Sequence, residues 1–290
     1  MKKGLRMLLV LVGLLFLSSC ASSPKESSQK QEATQTTTTS SQAVTEVKST
    51  TPTLFIHGYS GGASSFGSMI ERLETAGVAQ KEMVISVDAT GGVTSQGELS
   101  GEATNPLIQV LFEDNVNNEW NQATWILNVL QYLQITQDVT SVNLVGHSMG
   151  GVSSYRYLAT NAQADVPQVE KFVAIGAPFN EFLDTSASQS VDQLLTAGPS
   201  EQSPRYQDFA NLSSSVPAGI ECLVIGGQVS SSDLSDGTVP LTSALAGVPL
   251  LKMSGETVQS QIIVGENAHH SQLHENEAVD QVVSEFLWSK

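Results

Sequence analysis

The sequence predicts an α/β domain, a mostly parallel central sheet with helices on both faces. Three observations carry this. Short apolar runs of strand length alternate with amphipathic stretches of helical period. The chain has 290 residues, 40% of them hydrophobic, enough for one sizeable core. Residues fit for chemistry fall directly after apolar runs, where open parallel sheets bind their ligands.

The first fifty residues are expected to stand outside that domain. Lys2, Lys3 and Arg6 precede the apolar run "MLLVLVGLLFL" (7–17), which is short for a membrane span. The run ends in "LSSC", which resembles a bacterial lipobox; residues 1–19 then read as a lipoprotein signal peptide, with Cys20 lipidated at the mature N-terminus. A plain secretory signal is the alternative. Residues 20–50 are rich in Ser, Thr and Gln and have no aromatic side chain, so little there offsets the entropy of ordering. They read as a disordered tether. The domain is expected over 51–290.

Its elements follow in order. "TPTLFIHG" (51–58) is a buried strand stopped by glycine. "SSFGSMIERLETAG" (64–77) sets Phe66, Met69, Ile70 and Leu73 on one helical face and stops at Gly77. "EMVISVDAT" (82–90) is a second strand, and "NPLIQVLFEDN" (105–115) a third without an evident place in the sheet. "EWNQATWILNVLQYLQ" (119–134) repeats Ile126, Leu127, Leu130 and Leu133 at helical spacing, with Trp120 and Trp125 read as core or anchoring residues. Strand "SVNLVGHS" (141–148) leads into helix "GGVSSYRYLATNA" (150–162). "KFVAIGAPF" (171–179) and "IECLVIGGQ" (220–228) are strands, the latter holding Cys222 as a buried thiol. "QSQIIVG" (259–265) is the last strand and "NEAVDQVVSEFLW" (276–288) the closing helix. Between 180 and 215 the pattern lapses, with weak helical pieces near 191–195 and 206–212. Such an insert is a candidate lid, or a pair of helices lying passively over the sheet.

A serine hydroxyl becomes a useful nucleophile with a base in reach, an acid behind the base, and donors for the oxyanion. Gly146-His147-Ser148-Met149-Gly150 fits G-x-S-x-G between a strand and a helix, the setting of a nucleophile elbow. The Met149 N–H, at a helix N-terminus, is one candidate oxyanion donor. "HGYSG" (57–61) follows the first strand and offers the Tyr59 N–H as the second, His57 shaping the loop rather than moving protons. "SDGTVP" (235–240) offers Asp236 as the acid, with Asp233 the runner-up and a turn cap the plain alternative. Of five histidines, His269, His270 and His274 crowd "NAHHSQLHEN" (267–276) after the last strand, where the base belongs. A metal cluster that includes Glu275 is the rival, but the spacing fits no common zinc pattern. No metal and no cofactor are expected.

"FIHGYSG", "NPLIQVLFEDN", "LVGHSMGG", "IGAPFN", "SDGTVP", "HHSQLHEN" and the closing "FLW" together resemble the α/β-hydrolases, and more narrowly the cell-surface α/β-hydrolases of Gram-positive bacteria. The match spreads over nearly all of 51–290. It implies the α/β-hydrolase fold with a small lid-like insert, and a triad of Ser148, Asp236 and His270. Related bacterial lipases place a leucine three residues and a valine nine residues after the base; Leu273 and Val279 stand there after His270. The resemblance is specific for fold and triad and poor for substrate, since that family is named by its fold.

The expectation is therefore a lipid-anchored serine hydrolase on the extracytoplasmic face of the membrane, acting on small acyl esters. An acyltransferase or thioesterase on the same residues is one alternative; a surface lipoprotein that only binds a ligand is another. The net charge of −16 argues against nucleic acid as a partner.

Overall fold

The computed structural model describes residues 46–162 and 165–289. The expected signal peptide, the lipidation site Cys20 and most of the tether lie outside the described residues. Residues 46–50, read from the sequence as tether, are paired with the domain: Glu46 bridges Ser289, Val47 N–H donates to Trp288 O, and Ser49 exchanges bonds with Asn105. Backbone pairing and one buried asparagine hold them, so the apolar content of the segment gives no hint of it.

Eight strands form one sheet: β1 (Thr53–Ile56), β2 (Gln80–Val87), β3 (Val93–Gly97), β4 (Pro106–Phe112), β5 (Ser141–His147), β6 (Gln168–Ile175), β7 (Glu221–Gln228) and β8 (Thr257–Val264). Their order is β3-β2-β4-β1-β5-β6-β7-β8. All neighbours pair in parallel except β3, which runs antiparallel to β2 at the edge. The strand over 105–115 thus takes its place between β2 and β1.

Side chains alternate between two cores, as the two-residue period of a strand requires. Leu54, Ile56, Leu144, Phe172, Ala174, Cys222 and Val224 face the first core, with helices α2 (Glu119–Gln137), α3 (Met149–Thr160), α4 (Val191–Ala197), α5 (Pro204–Leu212), α6 (Leu241–Leu245) and α7 (Gly247–Met253). Phe55, Val145, Val173, Ile175, Leu223 and Ile225 face the second, with α1 (Ala63–Thr75) and α8 (Glu277–Trp288). The α1 face is the expected one: Phe66, Met69, Ile70 and Leu73 are buried. In α2, Trp125 packs on Phe112 at 5.3 Å between ring centroids, but Trp120 stands 59% exposed beneath the Arg156 guanidinium. Its place at the first turn turns it off the core stripe. Burial raises the pKa of the Cys222 thiol, consistent with an inert side chain.

The two weak helical pieces of the 180–215 insert are α4 and α5. Leu194, Tyr206 and Phe209 bury them on the first core. Buried Asn180 opens the insert, accepting from Ser203 N–H and donating to Glu201 O. Among the described residues, no helix is long and apolar enough to cross a membrane.

Candidate active site

The elbow follows from crowding. At the end of β5 the chain turns sharply through Ser148, with φ 54° and ψ −123°, directly into α3. A non-glycine residue held there costs about 1–3 kcal/mol, and the surroundings must impose it. Gly146 and Gly150 let the turn close. A Cβ on Gly146 would stand 2.5 Å from Gly150 C, and one on Gly150 would stand 2.2 Å from Ile56 O. Ser148 N–H donates to Ile175 O, fixing the turn to β6, and the side chain remains partly exposed.

Three segments converge on that serine. Ser148 Oγ lies 2.9 Å from His270 Nε2, and His270 Nδ1 lies 2.7 Å from Asp236 Oδ2. Asp236 is 1% exposed. Its Oδ1 accepts from Thr238 N–H and Val239 N–H, leaving Oδ2 to accept from the imidazole. That acceptor assigns the proton to Nδ1 and leaves Nε2 free to accept from the serine hydroxyl. His270 N–H also donates to Asp236 O at 2.8 Å, so the 235–240 turn and the 267–276 loop are tied by backbone as well. The runner-up Asp233 is exposed and holds Ser235 Oγ within its own turn. His269 is exposed.

His57 and the loop after β1 behave as a scaffold. Phe112 N–H donates to His57 Nε2 at 3.0 Å, so Nδ1–H donates to Gly58 O at 2.8 Å. Burial lowers the pKa of this ring and keeps it neutral. Ser60 N–H and Gly61 O are held by Asn115. Neither Tyr59 N–H nor Met149 N–H has an acceptor among the described residues, and Met149 opens α3. These are the two donors expected at the oxyanion position.

The sequence offers less warning of what braces His270. His147 Nε2–H donates to His270 O at 3.0 Å, and the two rings lie 4.6 Å apart. The His274 ring packs edge-on against His147 at 4.7 Å. Burial is the main cause holding both His147 and His274 below the ordinary imidazole pKa, so both serve as neutral packing. His274 Nδ1 contacts Glu275 Oε1 at 3.0 Å, and Arg72 of α1 binds Glu275, Asp280 and the His274 carbonyl. The cap of α8 is Asn276, whose side chain accepts from Ala278 N–H; His274 is the loop brace. The clustering of histidines in the sequence was the available signal for His274; the 208-residue separation of Arg72 and Asp280 left none.

A second charged cluster anchors the insert. Buried Glu119, at the start of α2, accepts from Arg156 of α3 and Arg205 of α5, each at 2.6 Å; Arg156 also pairs with Asp208, and Arg205 donates to Pro178 O. A cleft of about 390 Å³ opens over Ser148, between the 58–65 segment and the 267–276 loop. A larger cavity, about 650 Å³, lies at the amino ends of β6 and β7, away from the serine and histidine. Among the described residues, no group of three or more His, Cys, Asp or Glu side chains is arranged to hold a metal ion.

No curated protein matches the chain. Among solved structures, the product of gene lin2722 from Listeria innocua superposes with a TM-score of 0.74 at 29% identity, over 82% of this chain and 93% of that one. A protein called a "putative cell surface hydrolase" from Lactobacillus plantarum WCFS1 superposes with a TM-score of 0.67 at 20% identity, over 82% and 91%. Residues 40–290 match the family described as "Alpha/beta hydrolase of unknown function (DUF915)". The chain belongs to that α/β-hydrolase family.

Proposed function

We propose that this protein is a serine hydrolase that cleaves carboxylic esters, held by a lipid on Cys20 at the extracytoplasmic face of the membrane. The observation that carries the chemistry is the unbroken relay from Ser148 Oγ through His270 to Asp236, at 2.9 and 2.7 Å. Ser148 Oγ attacks the ester carbonyl carbon while His270 Nε2 takes its proton. Asp236 holds the imidazole orientation and stabilises the imidazolium. The Tyr59 and Met149 N–H groups receive the oxyanion, aided by the positive end of α3. The tetrahedral adduct collapses; the alcohol leaves with the proton from His270, and water then releases the acid by the same steps in reverse. The anchor rests on "LSSC" after the apolar run, and the name of the Lactobacillus structure agrees with a surface location.

Turnover of p-nitrophenyl acetate tests the chemistry. Wild type should hydrolyse it, and Ser148→Ala and His270→Ala should each lose about 10⁴-fold or more in kcat while staying folded. A His270→Ala variant with near-normal turnover would refute the assignment.

A further inference from the structure

The two sides of Ser148 differ in character. The cleft beside it lies on the side of α1 and the base loop, and is lined by Ser60, Ser64, Ser65, Ser271, Gln272 and Glu275, with backbone and the histidines between them. Tyr59 brings the one large apolar surface, a ring 59% exposed. The side chains of Ser60, Ser64, Ser271 and Gln272 are exposed and make no hydrogen bond among the described residues, so four sets of donors and acceptors face the cleft unmatched. The exposed apolar side chains lie elsewhere: Val116 just before α2, Trp120 on its first turn and Phe182 in the insert, and α2 and the insert pack on the opposite face of the sheet.

Resting on the ester-hydrolase reading above, chemistry assigns a role to the polar side. When the ester bond breaks, the alkoxy oxygen takes its proton from His270 Nε2, so the departing alcohol must lie on the histidine side of Ser148. His270 is part of the cleft wall. We propose that this cleft is the leaving-group subsite and takes an uncharged, hydroxyl-rich alcohol, a saccharide or polyol carrying the acyl group. Hydroxyl and amide side chains match sugar hydroxyls in both donor and acceptor sense, and the flat Tyr59 ring suits the C–H face of a sugar. A volume of about 390 Å³ falls within the range of small-ligand clefts. An anionic alcohol fits poorly. The lining holds no lysine or arginine, its one carboxylate is Glu275, and the chain carries −16 overall. Atoms balance as in simple hydrolysis: the carbonyl carbon exchanges its alkoxy oxygen for Ser148 Oγ, then for a water oxygen.

The test keeps the acyl group constant and varies the alcohol. Methyl 6-O-acetyl-glucoside and hexyl acetate are compared by kcat/KM with the full-length protein, p-nitrophenyl acetate serving as the activated reference. Wild type should favour the glucoside by tenfold or more, and the double variant Ser64→Ala/Gln272→Ala should lose most of that ratio. Equal use of the two acetates, preference for hexyl acetate, or a double variant that keeps the wild-type ratio would overturn the inference. Turnover of p-nitrophenyl acetate but of neither alkyl ester would overturn it and leave the hydrolase reading standing. No turnover of p-nitrophenyl acetate would remove that reading and this inference together.

Discussion

Replacing Glu119 with alanine removes the one carboxylate that the Arg156 and Arg205 guanidinium groups share. Glu119 and Arg156 side chains are 2% and 3% exposed, and each Glu119 oxygen accepts a 2.6 Å bond, one from Arg156 and one from Arg205. Removing one partner of a buried pair costs about 3–5 kcal/mol, because the remaining charge stays desolvated. Arg156 keeps Asp208, so the low end, about 3 kcal/mol, applies. With a urea m-value of about 3 kcal/mol/M, the unfolding midpoint should fall by about 1 M. Asp208→Ala is the internal control. Asp208 is 48% exposed, and its loss leaves Arg156 still paired with Glu119, so the cost should stay below about 1 kcal/mol and the midpoint within about 0.3 M. Urea titrations followed by circular dichroism measure both. A Glu119→Ala midpoint within 0.3 M of wild type, or an Asp208→Ala loss as large as that of Glu119→Ala, would refute the claim that this carboxylate holds α2, α3 and α5 together.

Gly150→Ala should cost about 2 kcal/mol or more and at least tenfold in ester turnover, since its Cβ would press on Ile56 O and His57 O; Gly67→Ala, which meets nothing within 4 Å in α1, should instead stabilise by about 0.5–1 kcal/mol, and paired thermal melts check both. Acid should unfold the domain early. His57, His147 and His274 have pKa values lowered chiefly by burial, so the unfolded chain binds more protons below its own pKa of about 6.5. Stability is then fully present above that pH and falls as the pH drops below it; burial raises the pKa of Asp280 and Glu256, which acts in the opposite sense. Urea midpoints that stay flat from pH 7 to pH 5 would contradict this. Cys20→Ala should move the protein from the membrane fraction to an unprocessed or released form; a wild type found freely soluble with residue 21 or later at its N-terminus would rule the anchor out.

The parts of the fold legible in the sequence were those with a simple solvent pattern. Strand β1, the 172–175 half of β6 and the 222–225 stretch of β7 are buried on both faces and read as apolar runs, and β5 is interrupted within its buried stretch by Asn143. The α1 stripe is legible because its other face meets water. Strand β3, "VTSQG", is an edge strand with no buried side chain, held by backbone pairing to β2, and composition carries no trace of it. Helices α6 and α7 are buried almost all round, so "LTSALAGVPLLKM" lacks the polar stripe that marks a helix, while Gly247 and Pro249 look like breakers. In α2, Leu127 is half-buried, and Val129, outside the stripe read from the sequence, is fully buried. At the site, local motifs pointed to Ser148, Asp236 and the base loop. The choice of His270 over its neighbours rested on resemblance, and the His147 contact with the His270 carbonyl spans 123 residues that no local pattern links.

The central claim is that Ser148 is the nucleophile. A fluorophosphonate probe, followed by mass spectrometry of the labelled peptide, tests it most directly. Wild type should carry one probe, on Ser148, and folded Ser148→Ala should carry none. A label on another residue, a label that survives Ser148→Ala, or a folded wild type that takes no label would contradict the account.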